Sequence, residues 1–162
     1  MRGLNSTAQQ FLNLLKGKPC PDSKRKALIV GIGNTLKGDD GVGIVLLQLL
    51  KDKVDAVFMD CGIAPENYLG KMVEINPQII IVIDAVELHE IPGTMQIIEA
   101  SELVEGGLST HSLSPGLFID YLQNMLSTVR VFILAVQPKK CSFGEGLSTE
   151  VSEAVTNFVN SL

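Results

Sequence analysis

Four carboxylates in this chain stand where one kind of segment gives way to another. Asp39 and Asp40 are adjacent in the glycine-rich stretch Gly31-Ile-Gly-Asn-Thr-Leu-Lys-Gly-Asp-Asp-Gly-Val-Gly43. Asp60 follows the segment Val54-Asp-Ala-Val-Phe-Met59, and Asp84 ends the run Ile79-Ile-Ile-Val-Ile83. A phosphate-binding loop presents bare backbone N–H groups, whereas two neighbouring carboxylates repel phosphate and attract a cation or a water to be activated. Gathered carboxylates share a proton or bind a cation. A softer ligand must come from one of two histidines. His89 reads as a solvated loop residue. His111 lies in Gly106-Gly-Leu-Ser-Thr-His-Ser-Leu113, just ahead of a helix that Ser114-Pro115 opens as N-cap and first turn. Asp40, Asp84 and His111 together make an O, O, N set for a divalent transition metal, which suits nickel, zinc or iron without choosing among them.

Other chemistries fit less well. Cys20, Cys61 and Cys141 show no C-x-x-C spacing. Cys61 follows Asp60 without an evident His or Asn partner and reads as a small buried residue. Neither G-x-S-x-G nor H-E-x-x-H is present.

The elements that must hold these side chains follow from periodicity. Residues 27–32 read as a buried strand that breaks on the glycine-rich loop, and Val42, Val45, Leu46, Leu49 and Leu50 continue as a helix to about residue 53. Residues 54–59 form a second strand. Ala64-Pro-Glu-Asn67 then starts a helix, with Pro65 in its first turn and Asn76-Pro77 at its end. Residues 79–83 show no polar alternation, as expected of a central strand covered on both faces. Residues 95–98 form a shorter edge strand, residues 100–105 a short helical turn and residues 106–113 a mobile loop. Leu117, Phe118, Tyr121, Leu122, Met125 and Leu126 share one helical face; residues 129–136 are the last strand, and residues 139–146 an irregular loop. Ser148 caps a final helix with the stripe Val151, Val155, Phe158, Val159 and Leu162. The predicted fold is a three-layer α/β/α domain of about five strands. Parallel strands bring their C-terminal ends to one edge, so the acids at those ends are expected to gather there.

Ahead of this domain, Leu4, Ala8, Phe11, Leu12 and Leu15 mark an amphipathic helix over residues 4–16, which packs on the domain or meets a partner. The division is a helical extension over 1–26 and a single α/β domain over 27–162. The formal charge of −5 shows no basic stripe for nucleic acid, Lys24-Arg25-Lys26 being a solvated entry to the first strand. No apolar run approaches a membrane span of roughly 18 residues. With no apolar signal segment and three unpatterned cysteines, a reduced, cytoplasmic setting is expected.

The motifs Gly31–Gly43, Asp60-Cys-Gly-Ile-Ala-Pro-Glu-Asn67, Ile83-Asp-Ala85, Pro92-Gly-Thr94, Ser109-Thr-His111 and Gln137-Pro138 resemble, in order, those of the hydrogenase maturation endopeptidases. Ala64-Pro-Glu-Asn67 is most similar to the branch serving formate-hydrogenlyase-type and membrane-bound hydrogenases. The resemblance covers roughly residues 27–160. It implies a mixed, mostly parallel five-stranded sheet with one antiparallel strand. It also implies a protease that trims the C-terminal extension from the large-subunit precursor of a nickel–iron hydrogenase. The family's metal-contacting positions fall on Asp40, Asp84 and His111. The metal so implied is nickel carried by the substrate, with zinc or cadmium standing in for it in crystals. Water polarised by a metal or a carboxylate attacks the peptide bond, with Asp39 and Asp60 as candidates to orient it. The N-terminal extension departs from the family pattern.

Two other readings belong to different classes. A Rossmann-type nucleotide-binding module is suggested by Gly31-x-Gly33 after a strand and Asp60 at a ribose position, but Leu36 stands where the third glycine belongs. A non-catalytic chaperone that senses nickel sites would share the ligands without cutting.

Overall fold

The computed structural model describes residues 2–17, 27–102, 115–144 and 146–162. Cys20, the Lys24-Arg25-Lys26 cluster, the segment 106–113 with His111, and Ser114 lie outside the described residues. Five strands, β1 (Leu28–Gly31), β2 (Val57–Asp60), β3 (Ile79–Ala85), β4 (Met95–Glu99) and β5 (Arg130–Val136), form one sheet in the order β2-β1-β3-β5-β4. The β1–β2, β1–β3 and β3–β5 pairs are parallel, and β4 runs antiparallel to β5 at the edge. The described helices are α1 (Arg2–Leu15), α2 (Val42–Leu50), α3 (Leu69–Ile75), α4 (Pro115–Met125) and α5 (Thr149–Asn160). No helix among the described residues is long and apolar enough to cross a membrane.

The aliphatic run of β3 lies at the centre and feeds two cores. Ile80 and Val82 pack with Met72 of α3 and with Phe118 and Leu122 of α4 on one face. Ile81 and Ile83 pack on the other, with Leu46, Leu47 and Leu50 of α2 and Val151, Val155 and Phe158 of α5. Successive side chains of a strand point to opposite faces, so a strand buried on both sides has no polar position to spare. The α/β/α layering and the single antiparallel strand agree with expectation.

The N-terminal helix is packed. Phe11 is fully buried and meets Phe158 edge-to-face, with ring centroids 5.5 Å apart, an arrangement the aromatic quadrupole favours. The Thr7 hydroxyl donates to the Met95 carbonyl at 3.1 Å, tying α1 to the edge strand.

Four local expectations change. The central strand does not end on Asp84 but runs one residue further, because the β5 ladder continues through Asp84–Ala135 and Ala85–Val136. The helix after Ala64 begins as a 3-10 turn over Pro65–Tyr68. On α2, Leu47 is buried and Leu49 exposed; on α4, Tyr121 and Met125 are exposed, so its buried face is Phe118, Leu122 and Leu126. Ser148 occupies the N-cap position of α5 but makes no side-chain cap there, its hydroxyl being turned to Asp39.

Candidate active site

The β1–α2 turn is folded by close backbone approaches that only glycine permits. Gly33 adopts φ +140°, and a Cβ there would lie 1.9 Å from the Asp40 carbonyl oxygen. At Gly43 a Cβ would lie 2.2 Å from the Ile32 carbonyl oxygen and 2.4 Å from that of Ile83. The start of α2 is thereby wedged against the ends of β1 and β3, beside the residue that precedes Asp84. Between these glycines a 3-10 turn over Gly38–Gly41 carries both acids, each buried.

The two neighbouring acids have different work. Asp39 is a structural tie. Its Oδ2 accepts the N–H groups of Lys139 (2.8 Å) and Lys140 (3.0 Å) and the Ser148 hydroxyl (2.8 Å), and its Oδ1 accepts the Ser148 N–H (2.7 Å). Burial by itself would raise its pKa, but the donors of Ser148, Lys140 and Lys139 outweigh it and hold the carboxyl below the usual value. With both oxygens so engaged, Asp39 is removed from the candidates for orienting water. Among the described residues, Asp40 Oδ2 accepts the Asn34 N–H, at 3.0 Å.

Asp84 is buried, and its Oδ1 has no hydrogen-bond partner among the described residues. Burial first, and the charge of Asp40 second, push its carboxyl well above the ordinary range, against the lowering effect of the Ala85 N–H. A buried acceptor without a partner is costly, and it needs either a proton or a cation. The orphaned oxygen beside a second carboxylate therefore suits a divalent ion.

Asp60 does not join this pair. It is exposed at the end of β2, and its Oδ1 accepts the Gly62 N–H at 3.0 Å in a local turn. His89 is exposed at φ 58°, with Nδ1 3.7 Å from Glu87 Oε1, the solvated loop residue expected. Cys61 is buried, its thiol pushed up to about 12 by burial and by Asp60. That thiol is no nucleophile. Among the described residues no three His, Cys, Asp or Glu side chains converge as a metal set. They contribute the two carboxylates, and the expected third ligand, His111, lies outside them.

Two residues at the β5 end, named in the sequence without a role, acquire one from the structure. Cys141 is partly buried in the β5–α5 loop, its thiol pushed up to about 11 by burial and then by Asp40, Asp39, Asp84 and Glu87. The β5 end belongs to the same sheet edge as the acids, so topology could have flagged it. Gln137 is buried, and its amide clips the β3–β4 loop to the end of β5. Its Oε1 accepts the N–H groups of Leu88 (2.7 Å) and Glu90 (3.3 Å), and its Nε2 donates to Glu87 Oε1 and the Pro138 carbonyl (both 3.0 Å). A cavity of about 800 Å³ lies elsewhere, between α1, β4 and α5, lined by Thr7, Gln96, Glu153 and Asn157 among others.

Comparison with known proteins identifies the family. The HycI hydrogenase maturation protease family matches residues 44–162. A putative hydrogenase maturation protease of Methanocaldococcus jannaschii is 31% identical over 148 residues, covering 85% of this chain and 86% of that protein. The hydrogenase 3 maturation protease of Escherichia coli K12 is 28% identical over 131 residues, covering 79% and 83%. The crystal structure of the hydrogenase 3 maturation protease superposes with a TM-score of 0.73 at 26% identity, over 85% of this chain and 88% of that one. The nickel–iron hydrogenase maturation protease HycI of Thermococcus kodakarensis KOD1 has the same fold, with a TM-score of 0.76 at 24% identity over 93% and 94%. These similarities stand against a nucleotide-binding module and against a chaperone that does not cut. The chain belongs to the hydrogenase maturation protease family and is a peptidase, a hydrolase.

Proposed function

We propose that this protease removes the C-terminal extension of a nickel–iron hydrogenase large-subunit precursor after nickel has been inserted. Asp40, Asp84 and His111 complete the coordination of the nickel carried by the substrate and so hold the scissile bond at the sheet edge. Zinc or cadmium would occupy the same three ligands in a soaked crystal. The observation that carries this reading is the buried Asp84 Oδ1, without a hydrogen-bond partner among the described residues and within the field of Asp40. A carboxylate pair kept short of hydrogen bonds gains most from an arriving cation. Water polarised by the substrate's metal, or by this carboxylate pair, attacks the peptide carbonyl. With both its oxygens committed to donors, Asp39 does not compete for that role.

The formate-hydrogenlyase or membrane-bound branch is the substrate group proposed, supported by the Ala64-Pro-Glu-Asn67 segment and by similarity to a hydrogenase 3 maturation protease. The free thiols of Cys61 and Cys141 suit work in a reducing cytoplasm. Intact mass spectrometry of precursor loaded with nickel, and of the same precursor without it, tests the reading. The loaded form loses its C-terminal segment and the nickel-free form stays whole; cleavage of both at one rate would refute nickel sensing.

A further inference from the structure

An unbroken line of hydrogen bonds runs from the carboxylate pair to an apolar patch in solvent. Asp40 Oδ2 accepts the Asn34 N–H, Asn34 Oδ1 accepts the Leu36 N–H at 3.0 Å, and the Leu36 carbonyl accepts the Gly144 N–H at 3.0 Å. A parallel bridge joins Lys37 to Gly144, and the Gly38 N–H donates to the Gly144 carbonyl at 2.9 Å. At the end of this line, Leu36 is 59% exposed and Phe143 80% exposed. Lys37 Nζ stands 5.3 Å from the centroid of the Phe143 ring. On the other side of the turn, the Gly62 carbonyl accepts the Gly33 N–H, and its neighbour Ile63 is 66% exposed.

Single exposed apolar residues are ordinary on a protein surface, but Leu36 and Phe143 stand on the hydrogen-bonded line that starts at Asp40, and Ile63 follows Gly62, which is bonded to Gly33 of the same turn. A cation over its face restrains the Phe143 ring, so less freedom is lost when something covers it. Charge divides the surface in the same way. Asp40 and Asp84 are buried, while Lys37 and Lys140 on the rim make no ion pair with a described carboxylate. An occupant complementary to this surface carries a cation at its centre, with apolar and acidic side chains around it.

We propose that Leu36 and Phe143, with Ile63 on the other side of the turn, are the docking rim for the precursor polypeptide and receive an apolar side chain from the segment flanking its metal centre. This rests on the function proposed above. The rim supplies ground-state binding, and the carboxylates act on the bond that is cut.

Steady-state cleavage of nickel-loaded precursor by the full-length wild type, by Leu36→Ser/Phe143→Ser and by Leu49→Ser tests it. Leu49 is exposed on α2, away from the rim, and serves as the control. The double variant should raise KM about tenfold or more with kcat held within about twofold, and Leu49→Ser should match wild type. All three should melt together, because each side chain is in solvent. An unchanged KM in the double variant, with wild type active, would overturn the rim and leave the proteolytic reading intact. If wild type cut no precursor, both would fall. Sedimentation of the free chain adds a separate check: self-association of wild type that the double variant abolishes would make a second copy the occupant and overturn the proposal.

Discussion

Asp39 and Ser148, 109 residues apart, are joined twice, the Ser148 N–H donating to Oδ1 at 2.7 Å and its hydroxyl to Oδ2 at 2.8 Å. With the Lys139 and Lys140 donors, this one carboxylate fastens the β1–α2 turn to the start of α5. Asp39→Asn replaces one accepting oxygen by an NH2 that faces donors, and should cost about 3 kcal/mol. Ser148→Ala keeps the N–H bond and should cost only about 1 kcal/mol. Because the native pKa is depressed, the stability Asp39 adds is complete above the unfolded value and is lost as pH falls through the native one. Urea unfolding should therefore show a constant gap between wild type and Asp39→Asn from neutral pH to about 5, closing below about 4.

Gly43 makes a different kind of tie. A methyl group there has the Ile32 and Ile83 carbonyl oxygens at 2.2 and 2.4 Å, both backbone and unable to swing away. Gly43→Ala should lower stability by about 3 kcal/mol, measured by chemical denaturation, although alanine favours a helix. Any protein that still folds should cut precursor slowly, since α2 can no longer seat the turn against β3.

Asp84 is held at a cost to the fold. Its native pKa is raised, so the folded state prefers the neutral acid, and the penalty for ionisation grows as pH rises above the unfolded value towards the native one. Asp84→Asn removes that charge. It should be more stable than wild type at neutral pH by about 1–3 kcal/mol, with the difference vanishing near pH 4 and below. Cleavage should fall sharply in the same variant, as expected where stability is given up for a site. Melting curves at two pH values, with an activity assay, check both halves.

Much of the fold was legible because it follows from local pattern. The unrelieved aliphatic run before Asp84 could only be a strand covered on both faces, and the glycine-rich turn before Val42 required an α/β crossover. Less legible was the division of labour between Asp39 and Asp40. Adjacent and identical in type, they differ only through partners at Lys139, Lys140 and Ser148, about a hundred residues away. Asp60 ends a parallel strand as Asp84 nearly does, yet the Gly62 N–H claims it in a turn that any strand end can form. Exposure of Leu36 and Phe143 was likewise unreadable, since an apolar letter in a loop says nothing about what covers it.

The claim at the centre is that two carboxylates and one imidazole contact the metal-bearing substrate. Intact-mass kinetics on nickel-loaded precursor, with Asp40→Asn, Asp84→Asn and His111→Ala compared with wild type, test it most directly. Each variant should fold and cut at least about 100-fold more slowly. Wild-type cleavage by His111→Ala, or by either Asn variant, would contradict the account.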